Sequence, residues 1–312
     1  MSVGEAPGKV ILLGEHAVVH GHPALAAPVH QVRARAELRP SDSTALPDLR
    51  IEAPDVGLSV WLHEMATTSA VASALRFTQD ALRLPALPKV VLHLTSTIPV
   101  ASGLGSGAAI TLAIVRALSS HASQTLPLEQ QSAIVFEVDK IHHGTPSGID
   151  NTVITYGVPI RFQIGVPPQR LQMGAPLSLL VADSGQASPT GIAVESVRQR
   201  LEHSPAETQA VLQSIHQIVD RGTSAVEQGW IEELGACMNA NHSQLRALGV
   251  SSPLLDRLVE AATRAGAFGA KLSGAGLGGN IIALVAPALA PAVTLALQQA
   301  GAIRVLQTEV PA

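Results

Sequence analysis

The chain has 312 residues, 46% of them hydrophobic and only 2% aromatic, with a formal net charge of −4. That length can bury a full core in one large domain or two, and with so few aromatics the core must be built from Ala, Val, Leu and Ile. The charge balance leaves no basic footprint for nucleic acid. No apolar run reaches the roughly 18 residues of a membrane span, and the single cysteine, Cys237, excludes an intrachain disulfide. The opening Met-Ser-Val-Gly-Glu-Ala-Pro shows neither part of a secretory leader, so a cytoplasmic protein is expected.

In chain order, Val3–Ala6 and Val10–Leu13 read as short strands flanking a Pro7-Gly8 break. Gln31–Arg39 alternates, with Val32, Ala34, Ala36 and Leu38 opposite Arg33, Arg35, Glu37 and Arg39, as a half-solvated antiparallel strand does. Residues 40–54 are polar and turn-rich, and Val60–Leu82 has a helical pattern. Lys89–Ser96 is the next strand, and Ile110, Ile114, Ala117 and Leu118 recur at helical spacing after it. Leu128–His142 predicts a helix. Val153–Tyr156 and Pro159–Phe162 predict a small hairpin around Gly157. The proline-rich Gly165–Pro176 stretch suggests a boundary, giving domains 1–168 and 169–312. In the second domain, strands are predicted at Leu177–Val181, Ala270–Leu272, Ile281–Val285 and Ile303–Gln307. Helices are predicted at Thr190–Leu201, Ala206–Gln228, Ile231–Leu248, Pro253–Ala265 and Ala290–Gln299.

The chemistry concentrates in glycine-bearing stretches. Pro99–Ile110, P-V-A-S-G-L-G-S-G-A-A-I, lies at a strand-to-helix junction, where free N–H groups and the helix dipole favour an anion. Gly103, Gly105 and Gly107 remove the Cβ atoms that would hold a phosphate off the backbone. Gly103–Ala108 formally fits a dinucleotide fingerprint, but no acidic residue follows about 20 positions on. No Gly-Lys-Ser/Thr completes a Walker loop, and protein-kinase motifs are absent. A tight helix start is the alternative reading of this loop alone. Lys9, Lys89, Lys140 and Lys271 are the only lysines, and three of them fall in or beside these stretches. The charge of Lys9 at the head of the apolar Val10–Leu13 run suggests a paired role. The histidines His20, His22, His142 and His143 lack the spacing of a zinc site, and Cys237 reads as a small buried hydrophobe.

Pro7–Gly21 (P-G-K-V-I-L-L-G-E-H-A-V-V-H-G), Pro99–Ala109 and Lys271–Gly279 (K-L-S-G-A-G-L-G-G) together resemble the three motifs of the GHMP kinases. With the linking His143–Asp150 (H-G-T-P-S-G-I-D), the likeness covers nearly the whole chain. The resemblance implies an α+β, two-domain GHMP kinase fold: a ribosomal-protein-S5-like N-terminal domain and a ferredoxin-like βαββαβ C-terminal domain. Within the superfamily, G-E-H-A-V-V with H-G-x-P-S-G-x-D is most similar to members acting on mevalonate. The implied reaction is Mg²⁺-dependent transfer of the ATP γ-phosphoryl to the mevalonate C5 hydroxyl. Phosphomevalonate, the mevalonate 3-hydroxyl, or ligand binding without turnover stand as alternatives.

By the same resemblance, Asp150 would be the base and Lys9 the electrostatic activator, two partly competing accounts of activation. Ser96, Pro99, Ser102, Gly103, Leu104, Gly105, Ser106 and Gly107 would hold ATP. Glu15, His16, Thr190, Gly274 and Ala275 would face the substrate, and Asp139 would hold the metal. Three departures from the family pattern stand out: Gly107 replaces a loop serine, Asp139 replaces a glutamate, and Leu277 interrupts the last glycine run. Nothing in the sequence decides between a monomer and a homodimer.

Overall fold

The structure, a computed structural model, describes all residues except 41–47, 100–102, 144–145 and 189, with only the backbone at 142–143. It forms two compact units, each discontinuous in sequence. The first comprises Met1–Gly8, Gln31–Val100 and Gly105–Gly157; the second comprises Lys9–His30, Ala101–Leu104 and Val158–Ala312.

The chain begins with β1 (Ser2–Leu13), β2 (Ala24–Arg39), β3 (Arg50–Ala53), β4 (Leu58–Trp61), α1 (Ala70–Leu82) and β5 (Val91–Ser96). Helices α2 (Ser106–His121), α3 (Leu128–His143) and α4 (Ile149–Tyr156) follow. In the first unit, residues 34–39 of β2 pair antiparallel with β5, and β3 pairs parallel with β5 and antiparallel with β4. The alternation predicted in β2 holds for Val32, Ala34, Ala36 and Leu38, all buried. Glu37 is buried as well, because Arg35 and Arg39 both reach its carboxylate. Against the sheet, α2 packs with α1, α3 and α4. Gly4 explains how closely β1 lies on α2: a Cβ there would stand 2.1 Å from the Ala113 carbonyl oxygen. Arg116 of α2 ties the unit together, donating to the Glu5 carbonyl (2.8 Å), the Thr155 carbonyl (3.0 Å) and Gln131 Oε1 (3.2 Å).

The second unit adds β6 (Ile160–Gln163), β7 (Val166–Arg170), β8 (Leu177–Asp183), α5 (Thr190–His203), α6 (Pro205–Gln228), α7 (Ile231–Ala247) and α8 (Pro253–Arg264). It ends with β9 (Gly269–Ser273), β10 (Asn280–Leu284), α9 (Ala290–Gln299) and β11 (Arg304–Val310). Strands β8 to β11 form an antiparallel sheet in the order β11-β8-β10-β9. Numbered within that sheet, the order is 4-1-3-2, with helices between its first and second strands and its third and fourth. This is the ferredoxin-like plan expected for this part of the chain. Residues 24–26 of β2 pair with β6, which pairs with β7; the expected 168/169 division falls inside β7. Among the described residues no helix is long and apolar enough to cross a membrane.

Three local expectations need correction. Pro7-Gly8 does not break β1, which runs unbroken for 12 residues; proline removes one N–H and leaves the backbone extended. The helix expected over Val60–Leu82 starts late: Val60 and Trp61 belong to strand β4, which the Gly57 turn returns against β3, and α1 starts only at the Ser69 cap. The predicted 153–156 strand is helix α4. Its Thr, Val and Ile favour strands on propensity, but tertiary anchors win. Gly148 caps the start at φ 92 and Thr152 Oγ1 donates to the Gly148 carbonyl at 2.6 Å. Asn151 Nδ2 donates to Ser132 Oγ of α3 at 2.8 Å, and Gly157 closes the far end.

Candidate active site

The glycine loop shapes the N-terminus of α2. Gly105 is its cap at φ 75 and ψ 30, with no side chain capping the first turn. A Cβ at Gly107 would meet nothing within 4 Å. Gly105 and Gly107 thus bring no side chain of their own to the first-turn N–H groups, as suits an anion site. In the second unit, the Leu104 carbonyl accepts from Lys9 N–H at 3.0 Å, fixing the motif lysine beside the loop. Lys9 is 4% exposed. Ser96 Oγ accepts from Ile98 N–H at 3.1 Å, so this hydroxyl is engaged in its own turn. Pro99 is half-buried, and Ser102 lies outside the described residues.

In the first unit, Asp150 occupies the first turn of α4, half-buried. Asp139 is on α3 and only 8% exposed. Glu137, two residues earlier, is exposed and pairs with Lys140 at 2.7 Å. No cluster of three His, Cys, Asp or Glu able to hold a metal occurs among the described residues.

The second unit builds an unusual turn at residues 14–17. Ala17 N–H donates to the Glu15 carbonyl at 2.7 Å across His16, whose φ is 63 and ψ −47. This is a γ-turn of the rare positive-φ kind, a conformation that costs on the order of 1–3 kcal/mol unless its surroundings hold it. Three contacts hold it. Gly14 N–H donates to Asn241 Oδ1 at 2.8 Å, the Glu15 carboxylate takes a hydrogen bond from Lys271 Nζ, and His16 Nε2 meets the Ala275 carbonyl at 2.7 Å.

A carbonyl only accepts, so His16 carries its proton on Nε2. Nδ1 is then a bare acceptor, buried and without a partner among the described residues. Burial pushes the His16 pKa down to about 4, so the ring is neutral at pH 7 and Nδ1 can accept from a hydroxyl. Lys271 is fully buried. Burial raises the Glu15 pKa and lowers that of Lys271, and each partner's charge opposes the other's shift.

The last glycine run, 273–279, is packed. A Cβ at Gly276 would stand 2.0 Å from the Val250 carbonyl oxygen, and one at Gly278 2.3 Å from that of Ala187. Leu277, the interrupting residue, adopts φ 58 and donates its N–H to Val250 at 2.8 Å. Gly274, at φ 101, and Ala275 form the half-exposed lip beside His16. Thr190 is exposed at the first residue of α5.

Sequence reasoning missed Asn241 and the Glu15–Lys271 pair. A lysine amid the apolar residues of β9 was the available signal, the same one that singled out Lys9.

These features define a kinase of one family. Residues 69–157 match the GHMP kinases N terminal domain and residues 223–303 the GHMP kinases C terminal domain, and the chain belongs to the GHMP kinase family. It is 35% identical to the mevalonate kinase of Pyrococcus horikoshii, across 96% of this chain and 93% of that protein. With the mevalonate kinase of Aeropyrum pernix it shares 33% identity, covering 89% and 87% of the two chains. Its fold matches the crystal structure of L. major mevalonate kinase in complex with R-mevalonate, with a TM-score of 0.85 and 28% identity over 100% of this chain and 96% of that one.

Proposed function

We infer that this protein is an ATP-dependent mevalonate kinase, phosphorylating the C5 hydroxyl of mevalonate. The observation that carries the reading is likeness to mevalonate kinases along nearly the whole chain, with the family's motif residues in place.

Phosphoryl transfer needs positioning and charge stabilisation more than covalent chemistry. We assign Asp150 to accept the proton of the substrate hydroxyl and Lys9 to stabilise the negative charge that develops on its oxygen. The uncapped first turn of α2, with Gly105 and the open Gly107, supports phosphate binding through backbone N–H groups. Gly103, Leu104 and Ser106 complete the described part of that loop. Neutral His16 offers Nδ1 to a substrate hydroxyl, and we assign Gly274 and Thr190 to the substrate side.

Mg²⁺ usually binds through one or two carboxylates plus substrate phosphates, keeping several waters. The chain's donor set suits that sparse mode: the carboxylate of Asp139 and the hydroxyl of Ser106 would hold the ion. When bound, it would neutralise charge on the phosphate oxygens.

A coupled assay with mevalonate, run beside phosphomevalonate, tests the reading. Mevalonate should be turned over and phosphomevalonate should not; the reverse preference would overturn it. Asp150→Asn and Lys9→Met should each lower kcat about 10²-fold or more, the usual range for a positioned acid–base or charge-stabilising group. Near-normal kcat in either variant removes that residue from the chemistry.

A further inference from the structure

The strained turn at His16 has a support that the chemistry above leaves unused. Lys271 sits inside β9 with no exposed surface. Its ammonium donates to Glu15, to the Leu272 carbonyl at 2.5 Å and to the Ile11 carbonyl at 3.5 Å. Ser273, two residues on and so on the same face of the strand, grips the same part of β1. Its Oγ accepts from Ile11 N–H and donates to the Ile11 carbonyl, both at 3.1 Å. On the main chain between them, Leu272 N–H donates to His242 Nδ1 at 3.4 Å. β9 is thus tied on both sides, and Lys271 is the member that reaches beyond β1 into the turn.

A buried ion pair is a poor way to gain stability, since apolar residues of like volume often do as well or better. What it supplies is a directional tether between two points. Here those points are a fixed strand and the residue just before a histidine held at positive φ.

We propose that Lys271 is a positioning residue for substrate binding: through Glu15 it holds the γ-turn that presents His16 Nδ1 to the substrate. The proposal rests on the reading of His16 as a substrate contact. The consequences fall on mevalonate and spare ATP, because among the described residues the Lys271 ammonium donates to the turn, to β1 and to its own neighbour Leu272. Apolar replacement of the pair would keep the packing and lose the tether.

The test compares Michaelis constants in the full-length enzyme for Lys271→Met, for the charge-balanced double variant Glu15→Gln/Lys271→Met, and for both changes added to His16→Asn. The double variant leaves no unpaired buried charge, so it recovers fold that the single variant loses. KM does not depend on the fraction of enzyme that is active, so a poor preparation still reports. The double variant should raise the mevalonate KM about tenfold, the size of a typical coupling between contacting groups, with the ATP KM within about twofold of wild type. Added to His16→Asn, the same changes should raise the mevalonate KM by no more than about twofold, because the group being positioned is already gone.

A mevalonate KM that returns to wild type along with the thermal stability of the double variant would show that Lys271 serves only the fold. A full tenfold loss persisting without His16 would show that Lys271 acts by another route. Failure of the wild-type enzyme to turn over mevalonate would instead overturn the functional reading on which the proposal stands.

Discussion

Two glycine runs in this chain look alike on paper and behave oppositely in the structure. At the start of α2, Gly107 has open space where a side chain would go. In the 273–279 run, Gly276 and Gly278 are pressed against the backbone of Val250 and Ala187. The first run leaves open space at Gly107, where phosphate is proposed to bind. The second uses it to let segments far apart in sequence touch, so that Gly274 and Ala275 can form a lip with a carbonyl aimed at His16. Glycine spacing therefore does not say which job is being done; what a Cβ would meet decides it.

The comparison is broken most severely by adding a methyl group to the packed run. Gly276 combines a backbone oxygen at 2.0 Å with φ 83, so Gly276→Ala faces both a clash and a disfavoured conformation. The expected loss is about 3 kcal/mol or more, the range of overpacking and positive-φ strain together. Urea unfolding measures it directly, and an unchanged midpoint would mean that the run is not packed as described.

The sequence carried most of the second unit. β8 to β11 and α5 to α9 were legible because each is a periodic or apolar run bounded by Gly, Pro or a cap. The motif residues were legible too, since Lys9, Asp150 and the glycines sit in short, recognisable strings. What failed was local propensity overruled by distant contacts, as in α4, where Asn151 and Thr152 outweigh four β-branched residues in a row. The anchors of the His16 turn were also hidden. Asn241 reaches Gly14 across 227 positions and Lys271 reaches Glu15 across 256, and no local spacing announces a partner so far away.

A pH titration sharpens the contrast from the side of the packed run. His16 is neutral because it is buried, with the charges of His20 and Lys271 also opposing its protonation. Burial likewise pushes His242 down to about 4, although Asp256 beside it favours the charged form. An unfolded chain takes up these protons near pH 6.5, whereas the folded one does so only near pH 4. Between those values the unfolded state binds more protons, so stability falls as pH drops from about 6.5 towards 4 and levels off below that. Each histidine contributes on the order of 3 kcal/mol at most over this window. His16→Asn removes one titrating ring while keeping a residue that tolerates positive φ. Its urea midpoint should therefore vary less between pH 4.5 and 7 than that of the wild type; an equal slope would mean that His16 is not held neutral by the fold.

The smallest expected effect lies in the open run. Gly107 is the second residue of α2 and has free space around its Cα, so Gly107→Ser meets no obstacle. Serine is the better helix former by a few tenths of a kcal/mol, so stability should hold or rise slightly. The informative readout is the Mg²⁺ concentration for half-maximal rate. A new hydroxyl at 107 would offer a bound Mg²⁺ one further oxygen, and the ion accepts a hydroxyl or a water in its octahedral shell. The requirement should stay the same or fall, with kcat close to wild type. Asp139→Ala should raise it if the buried carboxylate is the anchor proposed above, whereas Glu137→Ala should leave it alone, since Glu137 is occupied by Lys140. If Gly107→Ser instead abolished ATP binding with the fold intact, the space beside α2 would already be filled by the nucleotide itself. Glycine there would then be required for contact, as in the packed run, and the distinction between the two runs would disappear.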